Sequence, residues 1–253
     1  MSSLLLAAAA AAAAALDTPI CADRPAKANA VCTVPAGHFQ LEVGAIDWAQ
    51  IKEGGETVEA TALGSSLLKV GVDDRSDVEL NITPYVRITG DAGKASGFGD
   101  ILVRYKYRLS DDDAPVQLAL LPFVKFPTAK HDIGDGKLEG GLAIPVSFSL
   151  GGAVSATLGP EVDLLADVDG HGRHAALVNV LNISAAVTPR LTIGGELWSS
   201  FNFDPAETVS QASADAAIAY VIGNDVQLDA GANFGLTRET PDLEFYGGIS
   251  ARF

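Results

Sequence analysis

The stretch "DVDGHGRH" at residues 167–174 gathers side chains that could bind a metal. Asp167 and Asp169 before Gly170 follow the opening of a calcium loop. The third acidic position and the distal Glu of such a loop are absent. His171 and His174, three residues apart, are of a type that could ligate a transition ion. The same composition suits a hydrophilic loop, and that reading is adopted: no metal and no other cofactor is expected. Nucleophilic chemistry finds little support. His38 and many serines are present, but no nucleophile–base pairing is legible, because such sets are defined by geometry. The chain is therefore not expected to be an enzyme. Cys21 and Cys32 are too few for a tetrahedral zinc site and have no His between them. In an exported chain they are expected to form a disulfide.

Export is suggested by Leu4–Leu16, "LLLAAAAAAAAAL". It is too short to span a bilayer as a helix, and it matches the apolar core of a signal peptide, although no Lys or Arg precedes it. Residues 1–16 are thus assigned to a signal peptide, 17–37 to a periplasmic N-terminal segment or plug, and 38–253 to the body of the protein. The net charge is −15. That argues against nucleic acid, whose phosphates need clustered cations.

From residue 38 the pattern has period two, not 3.6. Phe39, Leu41, Val43 and Ala45 alternate with Gln40, Glu42 and Gly44, and Ile101, Val103, Tyr105 and Tyr107 alternate with Arg104, Lys106 and Arg108. At the C-terminus, Leu243 to Phe253 alternate with Glu244 to Arg252. Segments rich in Gly, Asn, Asp and Pro break the pattern at residues 50–58, 72–77, 90–99, 110–115, 128–137, 150–153, 167–174, 187–191, 204–211, 222–226 and 237–242. Long and short breaks alternate, and they delimit about twelve strands, an even number as in bacterial barrels.

A soluble sandwich also alternates, but its strands average ~5–6 residues. The strands here are nearly twice that. Lipid demands that every backbone group be paired, which a closed ring achieves. The expected fold is all-β: a single antiparallel up-and-down transmembrane barrel in the outer membrane of a Gram-negative bacterium. One parity then faces lipid and the other the lumen. The lumen parity carries Glu42, Trp48, Glu79, Tyr85, Arg87, Arg104, Lys106, Arg108, Glu139, Glu161, Asp163, Glu196, Trp198, Asp215, Asp229, Glu244 and Arg252. Pro84, Pro122, Pro145 and Pro160 fall within strands and should distort them. Phe253 is expected at the periplasmic boundary, as an assembly signal read by the barrel-assembly machinery.

Several short stretches resemble one family: "ADRP" (22–25), "TVPAGHFQLE" (33–42), "GFGD" (97–100) followed by "KYR" (106–108), "LALLPFVKFPT" (118–128), "LDAGANFGL" (228–236) and "GGISARF" (247–253). In this order and spacing they resemble the outer-membrane barrels associated with the meta-cleavage pathway of phenol degradation. The resemblance implies a role in uptake of apolar or aromatic compounds and brings no catalytic motif. The resulting expectation is a monomeric barrel that contacts outer-membrane lipid and passes small solutes, phenols among them. The alternatives are a structural or adhesive barrel and a lipid-modifying barrel enzyme.

Overall fold

The computed structural model describes residues 18–91 and 93–253. The expected signal peptide, residues 1–16, lies outside the described residues. Sixteen hydrogen-bonded segments form twelve antiparallel staves. Eight staves are single segments: β1 (Phe39–Glu53), β2 (Glu56–Asp73), β7 (Val116–Phe126), β12 (Arg173–Ala186), β13 (Leu191–Phe203), β14 (Thr208–Ile222), β15 (Val226–Gly235) and β16 (Leu243–Arg252). Four staves are interrupted: β3 (Ser76–Ile82) with β4 (Tyr85–Gly90), β5 (Gly93–Gly97) with β6 (Ile101–Arg108), β8 (Glu139–Ala143) with β9 (Val146–Gly151), and β10 (Val154–Leu158) with β11 (Glu161–Ala166).

The ring closes because β1 pairs with both β2 and β16. The backbone of Phe253 completes that seam. Its N–H donates to the Phe39 carbonyl at 2.8 Å, and its carbonyl accepts from the Phe39 N–H at 3.1 Å. The two rings stack outside the seam, 4.9 Å apart. The terminus is thus held by the sheet, and no edge is left for lipid to meet.

Proline explains three of the four interruptions. Pro84, Pro145 and Pro160 each stand between paired segments, and none has an N–H to give the ladder. Pro122 behaves differently. It stays inside β7 and pairs with Leu142, while the β6–β7 ladder skips Tyr105 and Lys106 opposite Pro122 and Leu121. Gly99, in the fourth interruption, donates to the Thr83 carbonyl at 2.9 Å and so follows the break beside it.

A phase slip crosses the first three staves and corrects part of the expected lumen. Ala45 is an extra residue relative to β16. Facing it in β2 is Gly64, with φ at +70°, a conformation that side chains other than hydrogen rarely adopt. Pro84 continues the slip in the third stave. Above this line the inward and outward parities exchange, as at any bulge. Trp48, Tyr85 and Arg87 were expected in the lumen; all three face outward. Trp48 stacks on Phe245, itself 49% exposed. Tyr85 is 39% exposed. Arg87 lies opposite Thr61, which lies opposite Trp48.

Candidate functional site

The interior of the barrel is occupied by the chain's own N-terminal stretch. It enters beside the turn at 223–225, where the Ile20 N–H donates to the Asn224 carbonyl at 2.6 Å. It runs inward, turns, and returns to the wall at Val34, whose N–H donates to Asp77 Oδ2 at 2.8 Å. Cys21 and Cys32 form a disulfide across the base of this loop, their Cα atoms 6.4 Å apart. Gly71 leaves room for the returning strand of the loop, because a Cβ there would overlap the Val34 and Pro35 carbonyl oxygens.

Wall carboxylates bind the loop's backbone. Glu42 accepts from the N–H groups of Asp23 and Arg24, at 3.1 and 2.9 Å. Glu196 accepts from those of Lys27 and Ala28, at 2.8 and 3.0 Å. The loop's side chains answer the wall in turn. Arg24 pairs with Asp229 at 2.7 Å, and Lys27 with Asp215 at 2.9 Å. The Lys27 ammonium also lies 4.9 Å from the centre of the Trp198 ring, a favourable cation–π geometry. Arg104 donates to the Asn29 side chain at 3.0 Å.

The deepest anchor is Asp23. Its carboxylate meets Lys69 Nζ at 2.7 Å and Lys106 Nζ at 3.0 Å, both buried lysines. Glu42 and Glu79 neutralise the far sides of the same lysines, at 2.6 and 3.1 Å. Burial alone would raise the Asp23 pKa. Lys106 and Lys69 outweigh it and hold the carboxyl below the usual carboxylate range.

Other inward side chains serve the two rims. Arg252 holds Asp225 and the Thr18 carbonyl, each at 2.7 Å, and Arg108 holds Asp112 and the Asp74 carbonyl. Toward the opposite end, Glu244 accepts from Asn233 at 2.6 Å. Lys125 joins Glu139 at 2.6 Å.

Beside the loop remains a cavity of about 550 Å³. Leu67, Leu102, Leu121, Phe123 and Trp198 give it apolar walls, while Arg104, Lys125, Glu139, Glu161 and Asp163 give it charge. Lys125 satisfies Glu139. Among the described residues, Glu161 and Asp163 form no close ion pair, so the acid excess is local to these two. The lining as a whole, with Arg24, Lys27 and Arg104, is close to charge balance. Sequence reasoning missed Asp23, Arg24, Lys27, Lys69, Asp77 and Lys125. Lys69 carried a usable signal, since it alternates with Leu68 and Val70.

The model of the family described as "Putative MetA-pathway of phenol degradation" matches residues 22–253. The chain belongs to that family. None of the curated proteins matches it. Among solved structures, this member of the phenol-degradation family is similar to an outer membrane channel from Pseudomonas putida F1, with a TM-score of 0.65 and 16% identity over 90% of this chain and 99% of that one. The NanC porin follows at a TM-score of 0.55 and 9% identity, over 84% of this chain and 98% of that one. The β domain of the Bordetella autotransporter BrkA has a TM-score of 0.50 and 16% identity, over 86% of this chain and 100% of that one. All three likenesses concern the fold. The family member is thus a closed outer-membrane barrel of twelve strands.

Proposed function

We propose that this barrel passes small, mainly neutral solutes across the outer membrane, with phenol-like aromatics the favoured class. The cavity beside the N-terminal loop carries the reading, since its apolar and aromatic walls suit a ring while Glu161 and Asp163 repel anions. Family membership and the fold it shares with outer-membrane channels support the same conclusion. The loop acts as a plug that narrows a lumen of this size, twelve strands lying between filled and open barrels. The barrel works as a monomer.

Purified barrel in liposomes should speed phenol entry over protein-free vesicles, while glutamate entry stays slow. Rates equal to the protein-free control for every small solute would favour a structural barrel. Anions entering faster than neutral solutes would show that Glu161 and Asp163 do not govern passage.

The seam at Phe253 supports recognition of the last strand by the assembly machinery. Phe253→Asp places a charge at the membrane boundary, where lipid exposure alone costs ~0–1 kcal/mol. A loss of outer-membrane yield far beyond that penalty is expected, read by quantitative immunoblot of membrane fractions. Wild-type yield would remove Phe253 from that role.

A further inference from the structure

Away from the cavity, at the end of the barrel opposite both termini, three side chains converge. His174, the second residue of β12, lies on its inward parity and is buried. Its Nδ1 lies 2.8 Å from Asp167 Oδ1 and 3.5 Å from Asp204 Oδ2. Asp167 comes from the loop before β12 and Asp204 from the loop after β13, so the cluster joins three adjacent staves. The three ligand atoms lie within 4.8 Å of one another.

Two carboxylates facing one imidazole nitrogen need more than one proton can supply. A neutral Nδ1–H donates to Asp167 and leaves Asp204 facing the same nitrogen. No neighbour among the described residues donates to His174 Nε2, which is buried without a partner. Without a cation, Asp167 keeps the ring proton on Nδ1. A cation between the three groups would take that lone pair in place of the proton, which can move to Nε2, where no protein group competes. Ligands at ~2.0–2.2 Å from a zinc-like ion stand ~2.9–3.6 Å apart in octahedral or tetrahedral order. The two separations from His174 Nδ1, 2.8 and 3.5 Å, lie close to that spacing.

The surroundings hold the ligands in place. Asp204 Oδ2 accepts from the Val168 N–H, and Oδ1 from the Ala206 N–H, each at 2.8 Å. Such outer contacts orient ligating carboxylates. Gly172 closes over Asp167, and a Cβ at this position would overlap Asp167 Oδ2. Its φ of +115° also suits glycine.

We propose that Asp167, His174 and Asp204 form a site for a divalent transition cation of the zinc class, which staples the outer ends of three neighbouring staves. One nitrogen with two carboxylates suits such an ion better than calcium, which takes 6–8 oxygens. Asp169 and His171, nearby in sequence, stand outside the cluster. His171 bends back to the Asp169 carbonyl at 2.9 Å and is exposed.

The test uses the mature barrel in detergent, stripped with chelator and titrated with zinc chloride by calorimetry near neutral pH. One zinc per chain is expected. Asp204→Asn and His174→Gln should each weaken binding at least ~10-fold. His131→Ala and His171→Ala, which remove exposed histidines, should leave it unchanged. Heat-modified gel mobility reports an intact barrel for each variant. Asp204→Asn, in a loop and nearly isosteric, decides the matter if His174→Gln does not fold. Absence of stoichiometric binding, binding indifferent to Asp204→Asn, or binding lost with His171→Ala would each overturn the proposal.

Discussion

Asp23→Ala will unseat the N-terminal loop. The substitution removes the one carboxylate shared by Lys69 and Lys106, both buried. Losing one partner of a buried ion pair costs about 3–5 kcal/mol, because the remaining charge is left uncompensated. Glu42 and Glu79 still face the two lysines, which places the effect near the low end, about 3 kcal/mol. Asp23 also accepts from the Ala30 N–H across the loop, at 2.7 Å, so the loop loses an internal tie as well. Hydrogen exchange at Ala28, Ala30 and Val34 should then accelerate about 100-fold, the equivalent of that energy. Single-channel conductance should rise as the loop leaves the lumen, while the barrel's own unfolding changes little. Unchanged exchange at those amides would mean that the carboxylates gripping the loop's backbone hold it without Asp23.

Leu197→Arg should be the most damaging single change on the outer face. Leu197 stands at the middle of β13, 56% exposed, opposite Leu181 and Ala214. Arginine at the bilayer midplane of a barrel costs ~2–4 kcal/mol. Ser200, three residues on, has the opposite parity and lies opposite Val178, which lines the cavity. Ser200→Arg should cost far less, since a lumen side chain can reach water. Urea unfolding in lipid vesicles compares the two. If Ser200→Arg proved the more damaging, the inward and outward faces of β13 would be reversed.

That contrast rests on a pattern readable from the chain alone. Period two is imposed by the pleat, and a lipid-facing stave must keep one side apolar throughout. Each of the eleven breaks in the pattern marks a real connection between staves. The rule fails where the pleat itself slips. Ala45 and Gly64 look ordinary in sequence, and only their pairing reveals that Trp48, Tyr85 and Arg87 have changed sides. The loop was harder still. Asp23, Arg24 and Lys27 belong to no periodic element, and their partners are scattered from Glu42 to Asp229. The cluster around His174 was half legible. Asp167 and His174 share one motif, whereas Asp204 follows the next pair of staves and reaches them only through the sheet.

The loop's contacts also dictate an order of events. It precedes every strand of the barrel in the sequence, yet Arg24 pairs with a residue 205 positions later. Its closing disulfide spans only 11 positions and can form as soon as both cysteines are oxidised. The loop can thus be cross-linked early. Asp23 finds its lysines once β2 and β6 are in place, whereas Lys27 must wait for Asp215 on β14 and Arg24 for Asp229 on β15. Arg24 alone spans the seam, held by Glu42 of β1 through its N–H and by Asp229 of β15 through its side chain. The complete set of loop contacts, from Glu42 on β1 to Asp229 on β15, therefore exists only in the closed ring.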